Sequence, residues 1–558
     1  TRGRARAGDM LDKALADDAL AGLQTHQAAD PDKPFFIYFA PGSAHAPHQA
    51  PADWIAKFRG QFDQGWDRVR EESLVRGKQL GVIPANTDLT PRPAYIPAWA
   101  SLPPERQRIN ARMMEVYAGM LAYQDAQFGR LVDELERMGK LDNTLVVFIE
   151  GDNGGSAGGG AQGSGKPLGA LGNRVRPGTS ELLAQLDELG GPRSNENYPA
   201  GWAWAVDAPF QWTKTYASHL GGVRNGLVIS WPNRIKDPGL RTQFHHVVDI
   251  VPTILEAAQV PQPDVVDGVP QQRMDGISMA YTFAQPAAPG RRHTQYFELI
   301  GNRGIYHDGW WAGTTPQNIG YNRQDKPIEE WPWELYNLDA DFSQAHDLAR
   351  AMPAKLAEMK ALFRQEARRN NVFPIDDQVN KRAAAVMAGV PSRTFTYWGK
   401  NVSVPADHAP RLTGSFRLSA QVRTDGAGAQ GVLAALGGRF GSWSFYLKDG
   451  HPVVVMAGST QPERIFRVRG GEPVPAGEAT IAFDFSADGG PGSGGLMRIG
   501  IDGREVGAGR IEQPITLTTE VTDTFDVGLD SSTPVTDDYD DQGKFNGDIR
   551  KLEVRPGA

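Results

Sequence analysis

The stretch LVVFIEGDNGG, residues 145–155, runs six residues of strand-forming sequence into a glycine-framed Asp-Asn pair. An apolar run this short, bounded by a turn signal, reads as a strand buried on both faces of a sheet. Residues 105–139 precede it as the clearest helix in the chain. Met113, Tyr117, Met120, Gln124, Phe128, Leu131, Leu135 and Met138 recur at steps of three and four, and Gly139 stands where a helix is capped. Upstream, PFFIYFAP at 34–41 is a second continuous apolar strand. Strand, helix, strand predicts a parallel α/β unit, whose strand C-termini are where such folds build sites. Working outward, residues 9–27, 180–189, 245–258 and 353–370 read as helices, and 226–232 (GLVISWP) and 333–338 (WELYNL) as strands.

The texture changes near residue 390. From Phe395 the segments SFRLSAQVR, WSFYLK, PVVVMA, ATIAFDF, LMRIGI and KLEVR are short and strand-like. Asp449-Gly450 and Asp502-Gly503 lie between such runs, as tight hairpin turns require. The reading is an α/β part at 1–370, a linker at 371–393 and a C-terminal all-β sandwich domain at 394–558.

Composition excludes several classes. The net charge of −8 argues against a general nucleic-acid binder. There is no cysteine, so disulfides, thiolate metal sites and cysteine nucleophiles are absent from these residues. No apolar run approaches the ~18 residues of a membrane span. The segment TRGRARAGDML lacks the apolar core of a signal peptide.

Four groups of residues carry candidate chemistry. Asp152 and Asn153 put a carboxylate and an amide oxygen side by side at a strand end, which suits a hard cation such as Ca2+ or Mg2+; a plain turn would use the same residues. In GSAHAPHQAP, residues 42–51, His45 and His48 follow the 34–41 run, held by Pro47 and Pro51; they could bind an anion or donate a proton. In GGAQGSGKP, Gly160, Gly165 and Lys166 imitate a phosphate-binding loop, but Pro167 occupies the position of the metal-binding hydroxyl. In QWTKTYASHLGGVRN, residues 211–225, Lys214, His219 and Arg224 surround a Gly-Gly turn that could hold an oxyanion.

Taken in order, these segments resemble the sulfatase family (type I, arylsulfatase-like), in the alkaline-phosphatase-like superfamily. The resemblance runs from PFFIYFAPGSAHAPHQAP through MEVYAGMLAYQDAQFGRLVDELERMGKLDNTLVVFIEGDNG and KTYASHLGGVRNGLVISWP to HHVVDIVPTILEAA and WELYNLDADFSQAHDLA, roughly residues 9–370. The β-rich tail resembles the extra sandwich of some large bacterial arylsulfatases. The fold this implies is an alkaline-phosphatase-like sandwich around a mostly parallel sheet. The function it implies is metal-assisted hydrolysis of a sulfate ester, small-molecule or carbohydrate, by a periplasmic or secreted protein. His45 would hydrogen-bond the sulfate or protonate the leaving oxygen, and Lys214 would neutralise its charge. Asp152 and Asn153 would bind Ca2+, with Mg2+ the alternative. His48 and His219 would lie nearby as substrate-binding residues.

The C/S-x-P-x-R pentapeptide that yields the family's formylglycine does not occur in this sequence, nor does a Gly-Lys-x-His segment. The paired N-terminal aspartates that complete the family's metal site are missing too. The expectation is a sulfatase lacking its N-terminal part, with an incomplete sheet, inactive and aggregation-prone by itself. The alternatives are a phosphodiesterase or phosphonate monoester hydrolase of the same superfamily, and a non-catalytic carbohydrate-binding pseudoenzyme.

Overall fold

The computed structural model describes residues 9–163, 178–317, 326–377 and 393–557, except 406–407, 411, 413, 439–440, 459–461, 490–492, 513–523 and 532. Its first part is organised by one long helix. Helix α1 spans Leu11–Ala29, α2 Ala52–Ala56, α3 Gly65–Gln79 and α4 Pro104–Arg137. The face of α4 read from the sequence is the face it buries: Met113, Met120, Leu131 and Leu135 are in the core. Helix α1 is tied to it by Arg130–Asp17 at 2.6 Å and Gln24 to Glu134 at 3.1 Å. Helix α2 crosses at Gly119, where an added Cβ would sit 2.9 Å from the Ile55 backbone, so the close approach requires glycine.

Beside α4 lies a tryptophan cluster. Trp66 of α3, Trp99 and Trp202 pack edge to face or tilted at 4.8–5.8 Å between centroids. The indole N–H of Trp66 donates to the Pro97 carbonyl and that of Trp202 to the Asn110 carbonyl, so burial leaves neither donor unpaired.

Strands β1 (Val146–Glu150) and β2 (Gly226–Ser230) form where strands were read, and they pair antiparallel, Val146 opposite Ser230 and Glu150 opposite Gly226. This corrects the expected parallel unit. The physical reason is that the 34–41 run forms no strand: Phe36 is 71% and Tyr38 85% exposed, and no described strand offers it a ladder. The chain therefore leaves β1 and enters β2 at one edge. The Asp152-Asn153 turn and the Gly-Gly-Val-Arg-Asn turn meet there. Phe148 packs on Phe128 of α4, while Val228 on β2 is exposed.

After the helix Ile250–Ala258 and the two-residue strands β3 (Val265–Val266) and β4 (Val269–Pro270), a four-stranded antiparallel sheet follows. It is built from β5 (Thr294–Leu299), β6 (Asn302–His307), β7 (Trp310–Thr314) and β8 (Trp333–Asn337). The helix Pro353–Arg369 packs on it through Met359, Phe363 and Ala367 against Ile305, Ala312 and Leu335.

The remainder is a sandwich of two six-stranded antiparallel sheets. One contains, in order, β10 (Val402–Pro405), β19 (Thr524–Val527), β12 (Gly431–Leu436), β13 (Ser442–Lys448), β14 (His451–Ala457) and β15 (Ile465–Arg469). The other contains β18 (Arg504–Ile511), β17 (Gly495–Ile501), β16 (Ala476–Ala487), β11 (Phe416–Asp425), β20 (Asp548–Pro556) and β9 (Phe395–Trp398). Phe416, Trp443, Phe445, Phe483 and Phe525 fill the space between them.

Candidate active site at the β1–β2 edge

The turn after β1 is held by its backbone. Asn225 donates to the carbonyls of Glu150 at 3.2 Å and Asn153 at 2.9 Å. The Gly154 N–H donates to the Gly222 carbonyl, and the Gly155 N–H to Asp207 Oδ1 at 2.8 Å. The Gly155 carbonyl accepts the Lys214 N–H at 3.0 Å. A Cβ on Gly154 would lie 1.7 Å from the Gly221 carbonyl oxygen, so glycine is required for this seating. The structure thus brings together Asp152, Asn153 and the Lys214 backbone, from sequence segments about sixty residues apart.

Within that frame the side chains differ in availability. Asp152 is exposed, and Asn153 donates its amide to the Gly154 carbonyl at 2.9 Å, which leaves its Oδ1 open. Lys214 is half-buried and makes no ion pair with any described residue. Arg224 spreads over the rings of Phe342 and Phe210 at 4.3 and 5.4 Å.

His219 departs from the expected substrate contact. It is 0% exposed, with Nε2 on Glu334 Oε2 at 2.8 Å and Nδ1 on the Ser218 hydroxyl at 2.9 Å. Both ring nitrogens are engaged, and the imidazole joins this segment to β8. Burial alone would raise the Glu334 carboxyl; the hydrogen bond and charge of His219, with Thr315 and Tyr336, hold it down to about 2.

The two histidines of the 42–51 loop separate. His45 is exposed, its Nδ1 against the Ala46 carbonyl at 2.6 Å, and Nε2 is free to act. His48 is 1% exposed, wedged between Tyr117 at 5.0 Å and Tyr198 at 4.9 Å, and its Nδ1 has no partner. Burial, helped by the charge of His45, pushes its imidazole down to about 3, so it is neutral at ordinary pH. A buried neutral ring packed between two tyrosines is an anchor for the loop. It is not placed to touch a substrate, contrary to the expectation. Tyr198 in turn hydrogen-bonds the backbone at Ser156, which links the loop to the β1 turn.

Sequence reading missed Asp207. Nothing in VDAPF marks it, yet it is the side chain that holds Gly155. The residue is half-buried, but its Oδ2 is shut off from solvent without a partner, and the carboxyl is pushed up to about 8 by desolvation. Gly165, Lys166 and Pro167 of the imitation phosphate loop lie outside the described residues.

The turn offers a carboxylate and an amide oxygen, donors of the type a hard cation takes, but the set is short. Among the described residues no three Asp, Glu, His or Cys side chains gather to hold an ion. Asp152 and Asn153 supply about three oxygens against the six to eight that Ca2+ takes. The described residues therefore do not fit a complete site, and no step is derived through a metal.

The geometry defines a class: a polar turn at a sheet edge, with a lysine docked on it that pairs with no carboxylate among the described residues. Residues 2–260 match the family model described as Sulfatase. The chain is 32% identical over 336 residues to an uncharacterised sulfatase of Schizosaccharomyces pombe, covering 58% of this chain and 56% of that protein. It is 31% identical over 279 residues to an arylsulfatase of Klebsiella aerogenes, covering 49% of this chain and 56% of that one. The chain thus spans about half the length of these curated relatives. The crystal structure of Ps i-CgsB matches with a TM-score of 0.41 and 19% identity, over 68% of this chain and 60% of that one. No helix among the described residues is long and apolar enough to cross a membrane.

Proposed function

We propose that these residues belong to a sulfuric ester hydrolase acting on an aryl or carbohydrate sulfate. Lys214 carries the reading. Its backbone is hydrogen-bonded to Gly155 beside Asp152 and Asn153, and its ammonium has no competing carboxylate among the described residues. An ammonium at that point neutralises the non-bridging oxygens of a sulfate monoester, which become the equatorial oxygens of the transition state. His45, exposed with Nε2 free, holds the sulfate or gives its proton to the departing oxygen. Asp152 and Asn153 are the two residues assigned to Ca2+, or Mg2+ in its place. A periplasmic or secreted location goes with the same reading.

The test uses the full-length gene product and p-nitrophenyl sulfate. Lys214→Ala is expected to lower kcat/KM by about 100- to 1000-fold, the scale of removing one preorganised oxyanion partner. Full-length protein that hydrolyses phosphate diesters or phosphonate monoesters but no sulfate ester would move the assignment to those reactions. Wild-type turnover unchanged by Lys214→Ala would remove Lys214 from it.

A further inference from the structure

The Asp152-Asn153 turn and Lys214 are not held together by a contact between their side chains. They are held through Gly155, whose N–H is gripped by Asp207 and whose carbonyl receives the Lys214 N–H. Asp207 sits in the turn that follows the helix Ala200–Val206, and that turn is unusually well fixed. Arg70 of α3, 0% exposed, donates to the carbonyls of Trp204, Pro209 and Phe210 and to the Thr90 hydroxyl, and its guanidinium lies 4.2 Å over the Trp204 ring. Thr90 donates to the Pro209 carbonyl at 2.9 Å. Three of its carbonyls on one planar fork leave the 204–210 turn little freedom. The Asp207 backbone is tied as well: its N–H donates to Ala203 and its carbonyl accepts from Phe210.

The carboxyl is tightly enclosed where it sits. Among the described residues its Oδ2 has no partner, while Oδ1 accepts from Gly155. The arrangement makes sense as a rigid stop: Arg70 fixes the turn, the turn fixes Asp207, and Asp207 holds the Gly155 N–H, one Cα away from the Gly155 carbonyl on which the Lys214 N–H hangs.

We propose that Asp207 is a positioning residue that sets the placement of Lys214 relative to the Asp152-Asn153 turn. The proposal rests on the reading of Lys214 as the group facing the substrate anion. Asp207 does not touch the reacting atoms; it acts through one residue, Gly155.

The experiment is amide hydrogen exchange and steady-state kinetics on the full-length protein. In Asp207→Ala, amides at 153–156 and 213–216 are expected to exchange at least tenfold faster, with α4 unchanged. kcat on p-nitrophenyl sulfate is expected to fall about 10- to 100-fold, more than KM changes. Asp207→Asn keeps an oxygen at the same reach and is expected to restore both readouts to within about threefold. Should Asp207→Ala fail to fold, Asp207→Glu, which moves the acceptor by one methylene, is expected to melt like wild type and show the same kinetic loss. Unchanged exchange at Gly155 and Lys214 in Asp207→Ala would overturn the proposal, as would an unchanged kcat in an active enzyme. The exchange readout needs no turnover, so a wild-type protein without sulfatase activity would sink the functional reading while leaving this one measurable.

Discussion

His48 allows a quantitative test of the interior against which the 42–51 loop docks. In the folded protein burial between Tyr117 and Tyr198 holds its imidazole at about 3, against an ordinary value near 6.5. A depressed folded value means that the unfolded chain binds the proton more tightly. Stability from this group is therefore complete above about pH 6.5 and is lost as pH falls toward 3. At pH 4.5 the unfolded histidine is about 99% protonated and the folded one almost wholly neutral. The difference is RT ln(101/1.03), about 2.7 kcal/mol. Asp207 acts in the opposite direction. Its carboxyl is raised to about 8, so its contribution is present below about pH 4 and is lost as pH rises through 8. A wild-type stability curve mixes the two. The difference between wild type and His48→Phe does not, because Asp207 is common to both. Phe fits the aromatic slot and removes the unpartnered Nδ1. The expected result is near-equality at pH 8 and a variant more stable by about 2–3 kcal/mol at pH 4.5, roughly 5–10 °C in melting temperature. Scanning calorimetry or chemical denaturation at the two pH values reads it. A gap between the two proteins that is the same at both pH values would refute the reasoning, since His48 would then be equally protonated folded and unfolded.

Two further outcomes check the fold. Phe483 is fully buried between the sandwich sheets, where it meets Phe416, Trp443 and Phe445, so Phe483→Ala is expected to cost about 3–5 kcal/mol in urea denaturation. Phe36 and Tyr38, 71% and 85% exposed, should each accept serine within about 0.5 kcal/mol; a loss near 2 kcal/mol would mean that the 34–41 segment is packed after all.

Periodicity was the most legible feature of the chain. Helix α4 was read as 105–139 and spans 104–137, because apolar residues every three and four positions have one way to become buried. The Asp-Gly hairpins were equally plain. Asp449 and Gly450 adopt φ of 51° and 76°, Asp502 and Gly503 φ of 49° and 82°, conformations that this dipeptide accepts and most others resist. Continuous apolar runs were not legible in the same way. LVVFIE and PFFIYFAP look alike as text, yet one finds a partner strand in 226–230 and the other lies open. An apolar run records that a segment can be buried, not what is available to bury it.

The site divides along the same line. The Asp152-Asn153 turn and the Lys214 segment could be named from residue types, and the β1–β2 pairing explains why they meet: antiparallel strands joined at one edge return the chain to its starting point. What separates His45 from His48 is not in their own ten residues. It comes from Tyr117 on α4 and Tyr198 far down the chain, which together take one imidazole out of water and leave the other in it. Asp207 is the extreme case, a carboxylate with no motif whose significance rests on a hydrogen bond to a glycine 52 residues earlier and on an arginine that is 0% exposed. Residues that touch an anion must be of a few chemical types and can be guessed. Residues that hold those residues in place need only the right distance, and distance is a property of the fold. The divided fates of His45 and His48 make the same point within four positions of one loop: the residue type nominates a candidate, and burial decides whether anything can reach it.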